Sequence, residues 1–499
     1  MEEEKKVETV MPQKEPKIIN VSNDIKDGQY KCPNCGSSEI IPNPKTGKLR
    51  CNYCASEFDG KALVGVEKNL TNLKGKVVGK GTGNIKADAN DVVTLKCGGC
   101  GAEIVIDTAN APHARCHWCR SVLSVNSKLD NGAIPDMILP FQTKKEDAQE
   151  KIKEFVGKRK FFANPTFKRE FTTDNIMGVY FPYLIVDANA HAKFEGEGEH
   201  LVRRYTVGSG DNQETRYDAD LYKVEREFDI TIDDLSIESN SSRLDKSSNE
   251  QTNNIINSIM PFDTENCIQY QSNYLVGYTS ERRDLNISDM EEKVNSQLKD
   301  IARFSAKETS DFYDRGIKWT NENFNVVGTQ WLAAYLPVWL YSYLEVKGKK
   351  KVLHYVAVNA RTNETMGSIP INNKLLILIS TIIEIIFGTL GLFLFIITAS
   401  GDEDDNSLFL LLFLAGFIFY GIMYTRYRNK DARHTYELET KKEITNLVKA
   451  DEFIKHEKGL RDASMTDRND NKLEGDSIEV GKIESLANDV LETADVFKK

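Results

Sequence analysis

From Leu375 to Ala399 the chain runs through 25 residues with a single charge, Glu384, and after a short acidic stretch it turns apolar again from Leu408 to Tyr424. As a helix rising about 1.5 Å per residue, the first run exceeds the roughly 30 Å hydrocarbon core of a bilayer, and the second sits at the short limit. Together they predict a two-helix transmembrane hairpin over residues 373–425. The intervening "SGDEDDNS" has no Lys or Arg, whereas Lys374 precedes the first run and Arg426, Arg428, Lys430 and Arg433 follow the second. The positive-inside rule then puts both termini in the cytoplasm of a cell-membrane protein with two passes. Glu384 is costly in hydrocarbon, so it predicts a hydrogen bond to the second span or to another membrane subunit, with a proton path as the alternative.

Upstream, residues 126–372 mix two periodicities. "TKKEDAQEKIKEFVG" carries Ala148, Ile152 and Phe155 at helical spacing behind a capping box of Thr143 and Glu146, and "SDMEEKVNSQLKDIARF" repeats the device with Ser288, Glu291 and a stripe of Met290, Val294, Leu298 and Ile301. "GVYFPYLIVDANAHAKFEG", "LAAYLPVWLYSYLEV" and "KVLHYVAVNARTNETMG" are rich in aromatic and β-branched residues and predict strands, with Asn363 at a hairpin turn. Two phrases echo: Leu139-Pro140-Phe141 with Met260-Pro261-Phe262, and Tyr180-Phe181-Pro182 with Tyr335-Leu336-Pro337. The region reads as an α+β cytoplasmic domain with antiparallel strands and an internal duplication. Residues 236–256 read as a loop or weak helix. The stretch 426–499 is charged with mixed sign; Leu438, Ile444, Leu447, Val448 and Ile454 fall at roughly helical intervals, which predicts a charged helical tail.

Cysteine placement adds chemistry to this picture. Eight of nine cysteines form four CxxC pairs, and each pair recurs 65 residues later: Cys32, Cys35, Cys51 and Cys54 against Cys97, Cys100, Cys116 and Cys119. Two knuckles separated by about 15 residues close a four-thiolate tetrahedron, so two structural zinc ions, Zn2+, are expected, in ribbons over 28–60 and 93–125. Gly36 and Gly101 follow the first knuckles, where positive φ turns backbone N–H groups toward sulfur; Ala55 and Arg120 stand at the second. A filled thiolate shell leaves no open position for catalysis. His113 and His117 read as exposed loop residues, and Cys267 as a small buried hydrophobe. The remainder reads as an acidic tail over 1–27 and a linker over 61–92. The architecture expected is multidomain α+β: two ribbons, the cytoplasmic domain, the hairpin and the tail.

Composition restricts the function classes. With 499 residues, 28% charged side chains and a net charge of −10, the chain is no disulfide scaffold, and "MEEEKKVETV" opposes export. The ribbons carry acids as well as bases, with no basic stripe and no interleaved aromatics, which argues against nucleic acid as a partner. No nucleophile elbow, HExxH, P-loop or Rossmann glycine pattern occurs, so no catalytic or cofactor-binding residue is assigned and a non-enzyme is expected. His191, His200 and Asp187 read as satisfied polar positions. The twin cysteine sets, "MILPFQTKKEDAQEKI", "GVYFPYLIVDANA", "IMPFDTENCIQYQSNYLVGY" and "AAYLPVWLYSYLEVKGKKKVLHYVAVNARTNETMGSIPI" resemble a family of Gram-positive bacterial membrane proteins with twin transcription factor IIB-type zinc ribbons. Some of its members neighbour SPFH/flotillin-like and phage-shock protein A genes. The resemblance implies a membrane-anchored adaptor that docks cytosolic or membrane proteins of those types in an envelope-stress response, alone or in a homo- or hetero-oligomer. The alternatives are a membrane-tethered nucleic-acid-binding regulator and a transport-associated or enzymatic protein using Glu384 or the middle domain.

Overall fold

The computed structural model describes residues 15–19, 21, 32–37, 39–43, 45–83, 92–107, 114–124, 128–129, 135–209, 213–241, 256–347, 350–398, 412–428 and 435–461. His113, the acidic turn, Lys430, Arg433 and the end of the tail lie outside these residues.

In chain order the strands and helices are β1 (Lys17–Ile19), β2 (Ile40–Pro42), β3 (Leu49–Cys51), β4 (Glu57–Phe58), β5 (Gly75–Gly79), α1 (Lys80–Gly83), β6 (Val92–Lys96), β7 (Glu103–Asp107), β8 (Lys128–Leu129) and β9 (Met137–Ile138). Then come α2 (Lys145–Gly157), α3 (Pro165–Glu170), β10 (Met177–Val207), β11 (Glu214–Glu238), β12 (Ile268–Gln269), β13 (Thr279–Glu281), α4 (Ile287–Glu308) and β14 (Gly316–Lys347). β15 (Lys350–Asn359), β16 (Thr365–Gly367), α5 (Asn373–Thr398), α6 (Ala415–Arg428), α7 (Tyr436–Glu439) and β17 (Lys441–Arg461) complete the order.

The frame is the antiparallel pair of β10 and β14, 31 and 32 residues long, in register from Met177 opposite Leu340 to Glu199 opposite Gly316. At about 3.3 Å per residue each strand has a contour on the order of 100 Å. The sequence sustains this length by alternation: Ala190, Ala192 and Phe194 are buried on one face, while His191, Lys193 and Glu195 are half-exposed on the other. The second edge of β10 takes β13 in parallel at Val179 and Tyr180, then β11 antiparallel from Tyr183 to Val207. The second edge of β14 takes β5 and β9 in parallel and β15 antiparallel. The helix α4 lies on the face of β10 and β11 that carries Val186, Ala188, Val224 and Phe228, burying its stripe of Met290, Val294, Leu298 and Ile301. The shorter α2 packs Ala148, Ile152 and Phe155 into a second cluster with Tyr180 and Trp339.

Several expectations change. The stretch 61–92 is no free linker: β5 pairs with Gly328–Trp331 of β14, and the Glu67 amide donates to Gln330 Oε1 at 2.9 Å. From the stretch 1–27, β1 pairs in parallel with β5. The tail is not helical over 441–461, where β17 pairs antiparallel with β11 from Asp233 opposite Lys441 to Arg216 opposite Arg461. Ladder hydrogen bonds to a waiting strand edge outweigh the helical spacing of its apolar residues. Both predicted capping boxes are displaced. Thr143 Oγ1 donates to Asn363 Oδ1 at 2.8 Å, leaving Lys144 as N-cap of α2, and α4 is capped by Asn286 with Asp289 instead of Ser288 with Glu291.

One helix among the described residues, over Asn373–Ile396, is long and apolar enough to cross a membrane by length and composition. Its Leu378, Ile385, Phe393 and Ile396 are exposed. The 14 residues of α6 pack against it but fall short of a full span as a helix.

Candidate metal centres

The strands β3 and β6 lead into the turns at Cys51 and Cys97, and all four CxxC turns fold back on themselves by the same bond. The amides of Gly36, Ala55, Gly101 and Arg120 donate to the carbonyls of Cys32, Cys51, Cys97 and Cys116 at 2.8, 2.9, 2.8 and 2.8 Å. All four donors have positive φ, at 74°, 58°, 81° and 64° in that order. The second knuckles therefore take the same turn as the first without glycine.

This geometry gathers the sulfurs. Cys32 and Cys54 Sγ are 3.6 Å apart and Cys35 and Cys51 3.5 Å; in the second group Cys97 and Cys119 are 3.4 Å apart and Cys100 and Cys116 3.5 Å. Within each set of four every Sγ lies within 4.8 Å of the others. A zinc–sulfur tetrahedron with arms of about 2.3 Å has edges of about 3.8 Å, so both sets fit a four-thiolate ion with little adjustment. When bound, such an ion supplies cross-linking and no open coordination position. Hydroxyl and backbone donors from Ser56 hold the Cys54 thiol down at about 6, and the hydrogen bond with Cys116 draws Cys100 to about 5, so each set contains a sulfur disposed to ionise.

The sets differ in what surrounds them. In the first, β2, β3 and β4 form a separate small sheet that attaches through Cys32, Ile40, Leu49 and Cys51, in one cluster with Tyr274, and through Asn273 Nδ2 donating to Ile40 O at 3.2 Å. In the second, β6 and β7 join the main sheet, with β7 pairing antiparallel with β13. His117, expected on the surface, is buried. Its Nδ1 lies 3.0 Å from Thr279 Oγ1, and its carbonyl accepts from Ser342 Oγ at 2.6 Å. Trp118 Nε1 donates to Glu281 Oε1 at 2.6 Å, and its ring packs on Phe181 and Tyr355. Spacing alone could not have signalled this seat; the one sequence hint is that Trp118 replaces the Tyr53 of the other ribbon.

The other residues singled out from sequence fall in separate places. Cys267 is buried, and burial pushes its thiol up. His191 Nδ1 is 2.8 Å from Asp229 Oδ1, while His200 Nδ1 meets Phe312 O at 2.9 Å. Asp187 is buried beside Asp233 and Asp234, two neighbours that sequence reasoning missed. Asp187 accepts from Gln330 Nε2 at 2.9 Å and from the Asp234 amide at 3.0 Å; burial, and then the Asp234 charge, raise it to about 7. Asp234 rises to about 6 for the same first cause. Glu384 Oε2 accepts from the Gly416 amide of α6 at 2.8 Å. That amide is one of the donors a helix leaves unsatisfied in its first turn, so Glu384 caps α6 from the neighbouring helix.

Comparison with known proteins adds one relative. Over 351 residues, 69% of this chain and 90% of the relative, the sequence is 25% identical to Uncharacterized protein YdjG of Bacillus subtilis (strain 168). No family model and no solved structure matches the chain.

Proposed function

We propose that the chain is a non-catalytic membrane adaptor that holds protein partners at the bilayer. One observation carries the reading: α5 turns Leu378, Ile382, Ile385, Ile386 and Phe393 outward from a folded body that has no need of them. Side chains of this size exposed along a helix of 26 residues call for lipid. In this reading α6 and the residues before it make the second pass, Glu384 supplies the hydrogen bond that hydrocarbon cannot, and the Arg426 and Arg428 side keeps both termini cytoplasmic. Two closed thiolate sites hold the ribbons as rigid surfaces, and the resemblance to the twin-ribbon family supports partners of the SPFH or phage-shock protein A type.

The test uses outward positions whose replacement leaves the packed face alone. Ile382→Arg together with Ile385→Arg should shift the full-length chain, and with it a bound partner, from the membrane to the soluble fraction, because a charge at mid-depth costs about 2.5–3.5 kcal/mol even on insertion scales. Wild-type chain found in the soluble fraction would defeat the anchor. DNA binding by the purified chain that weakens steeply with salt would replace the adaptor by the nucleic-acid reading.

A further inference from the structure

The two ribbons are copies of one unit, yet they meet the rest of the molecule through different surfaces. In the second copy the two residues after Cys116 are sunk into the body: His117 pairs with a hydroxyl on β13, and Trp118, 3% exposed, gives its N–H to the Glu281 carboxylate on the same strand. Asn52 and Tyr53 occupy these positions after Cys51, 65 residues earlier. Both are exposed, Tyr53 at 80%, with Pro33 and Asn34 of the facing knuckle exposed beside them. The first ribbon attaches to the body by its strands, through Ile40 and Leu49, which leaves this knuckle turned outward.

The residue chemistry is kept while the seat is missing. An asparagine amide, like an imidazole, can give and take a hydrogen bond with a hydroxyl or a backbone group; tyrosine, like tryptophan, presents a flat ring with one donor at its rim. A metal-held turn fixes the backbone beneath them in advance, so little ordering is required on contact, and tyrosine has only two rotatable bonds to lose. We propose that the second knuckle of the first ribbon, Asn52 and Tyr53, is a docking site for another polypeptide, an extended segment bearing a carboxylate. The Tyr53 hydroxyl takes that carboxylate as Trp118 takes Glu281, and the Asn52 amide takes a flanking hydroxyl or backbone group as His117 takes Thr279. This inference rests on the adaptor reading and names the surface and the chemistry of its partner.

A photoreactive p-benzoylphenylalanine placed at Pro33, on the facing knuckle, leaves Tyr53 intact and can be activated in native membranes with the full-length chain. The expected product is a covalent adduct with a second protein, mapped to a peptide that contains Asp or Glu. Adducts only with lipid, nucleic acid or the chain itself, or no adduct, overturn the proposal. Side-chain chemistry gives the second arm. Tyr53→Phe should lower the co-purifying partner by a factor of about 10–100, the loss of one charge-assisted hydrogen bond, and Tyr53→Trp should restore it, since that residue already does this work in the other ribbon. Zinc content equal to wild type in both variants confirms that the ribbon stays folded. If a protein co-purifies equally with wild type, Tyr53→Phe and Tyr53→Ala, the adaptor stands and this surface is wrong. If no protein accompanies even the wild-type chain, the adaptor reading itself fails.

Discussion

Ala55 and Arg120 hold left-handed φ values of 58° and 64° where the first knuckles have glycine. For an L-residue this region costs roughly 1–2 kcal/mol, part of which a glycine would give back through its freer unfolded chain. Ala55→Gly should therefore stabilise the first ribbon by about 0.5–1 kcal/mol, seen as slower amide exchange within residues 49–58. Asp187 gives a pH-dependent counterpart. Its folded value of about 7 lies above the ordinary Asp value of about 3.9, so ionisation opposes folding: the penalty is absent below the unfolded value and complete above the folded one. Urea unfolding at pH 5.5 and 8 should show Asp187→Asn gaining on wild type as pH rises, by roughly 1–3 kcal/mol. At this scale the sequence was clearest where chemistry is local. The eight cysteines declared their grouping through spacing, whereas His117 gave no sign of burial because its partners, Thr279 and Ser342, are more than 160 residues away.

Among elements, the echo of Tyr180-Phe181-Pro182 and Tyr335-Leu336-Pro337 has a geometric counterpart. The two triplets face each other across the central pair, Tyr180 opposite Pro337, Phe181 opposite Leu336 and Pro182 opposite Tyr335. That register is what a local two-fold axis through Phe181 and Leu336 would produce. Helices α2 and α4 were legible because their apolar periods match the faces they bury, and strands β10, β14 and β15 because aromatic and β-branched residues fill a sheet buried over much of its length. The strand β17 was not, since a solvated edge strand rich in Lys and Glu needs no alternation, and its exposed Val448, Phe453 and Ile454 sit as easily on a helix. What fixes it is a partner out of local reach: buried Arg226 donates from Nη1 and Nη2 to Asp451 at 2.5 and 3.2 Å and from Nε to Thr309 Oγ1. Asp451→Ala leaves that guanidinium only Thr309 Oγ1 and the Glu225 carbonyl and, with Asp451 itself part-exposed, should destabilise the folded chain by roughly 1–2 kcal/mol. Arg226→Met combined with Asp451→Leu should recover most of the loss in the same denaturation curves, which separates the ion pair from the strand pairing itself.

For the molecule as a whole, the two metal centres should not be interchangeable. Metal analysis of protein purified without added zinc is expected to give two equivalents, and either Cys51→Ser/Cys54→Ser or Cys116→Ser/Cys119→Ser should remove one. The first pair loosens a small sheet joined to the body at its margin. The second frees the turn that holds His117 and Trp118 between β13, β14 and β15, so it should lower the unfolding temperature of the entire body, a coupling on the order of several kcal/mol. The division of the chain into ribbon, linker, domain and tail was only partly visible in sequence, because parallel pairings such as that of β5 with β14 join segments about 250 residues apart and leave no local period. The long reach of β17 bears on biosynthesis. Its partner β11 leaves the ribosome about 200 residues earlier, with the apolar run of α5 and α6 in between. If that run enters the bilayer, as proposed above, the long sheet waits during translation with one raw edge until the run has been delivered there. Closing the edge would then follow insertion, and a chain stalled at that step would present an open strand to the proteases and chaperones that survey unfinished proteins.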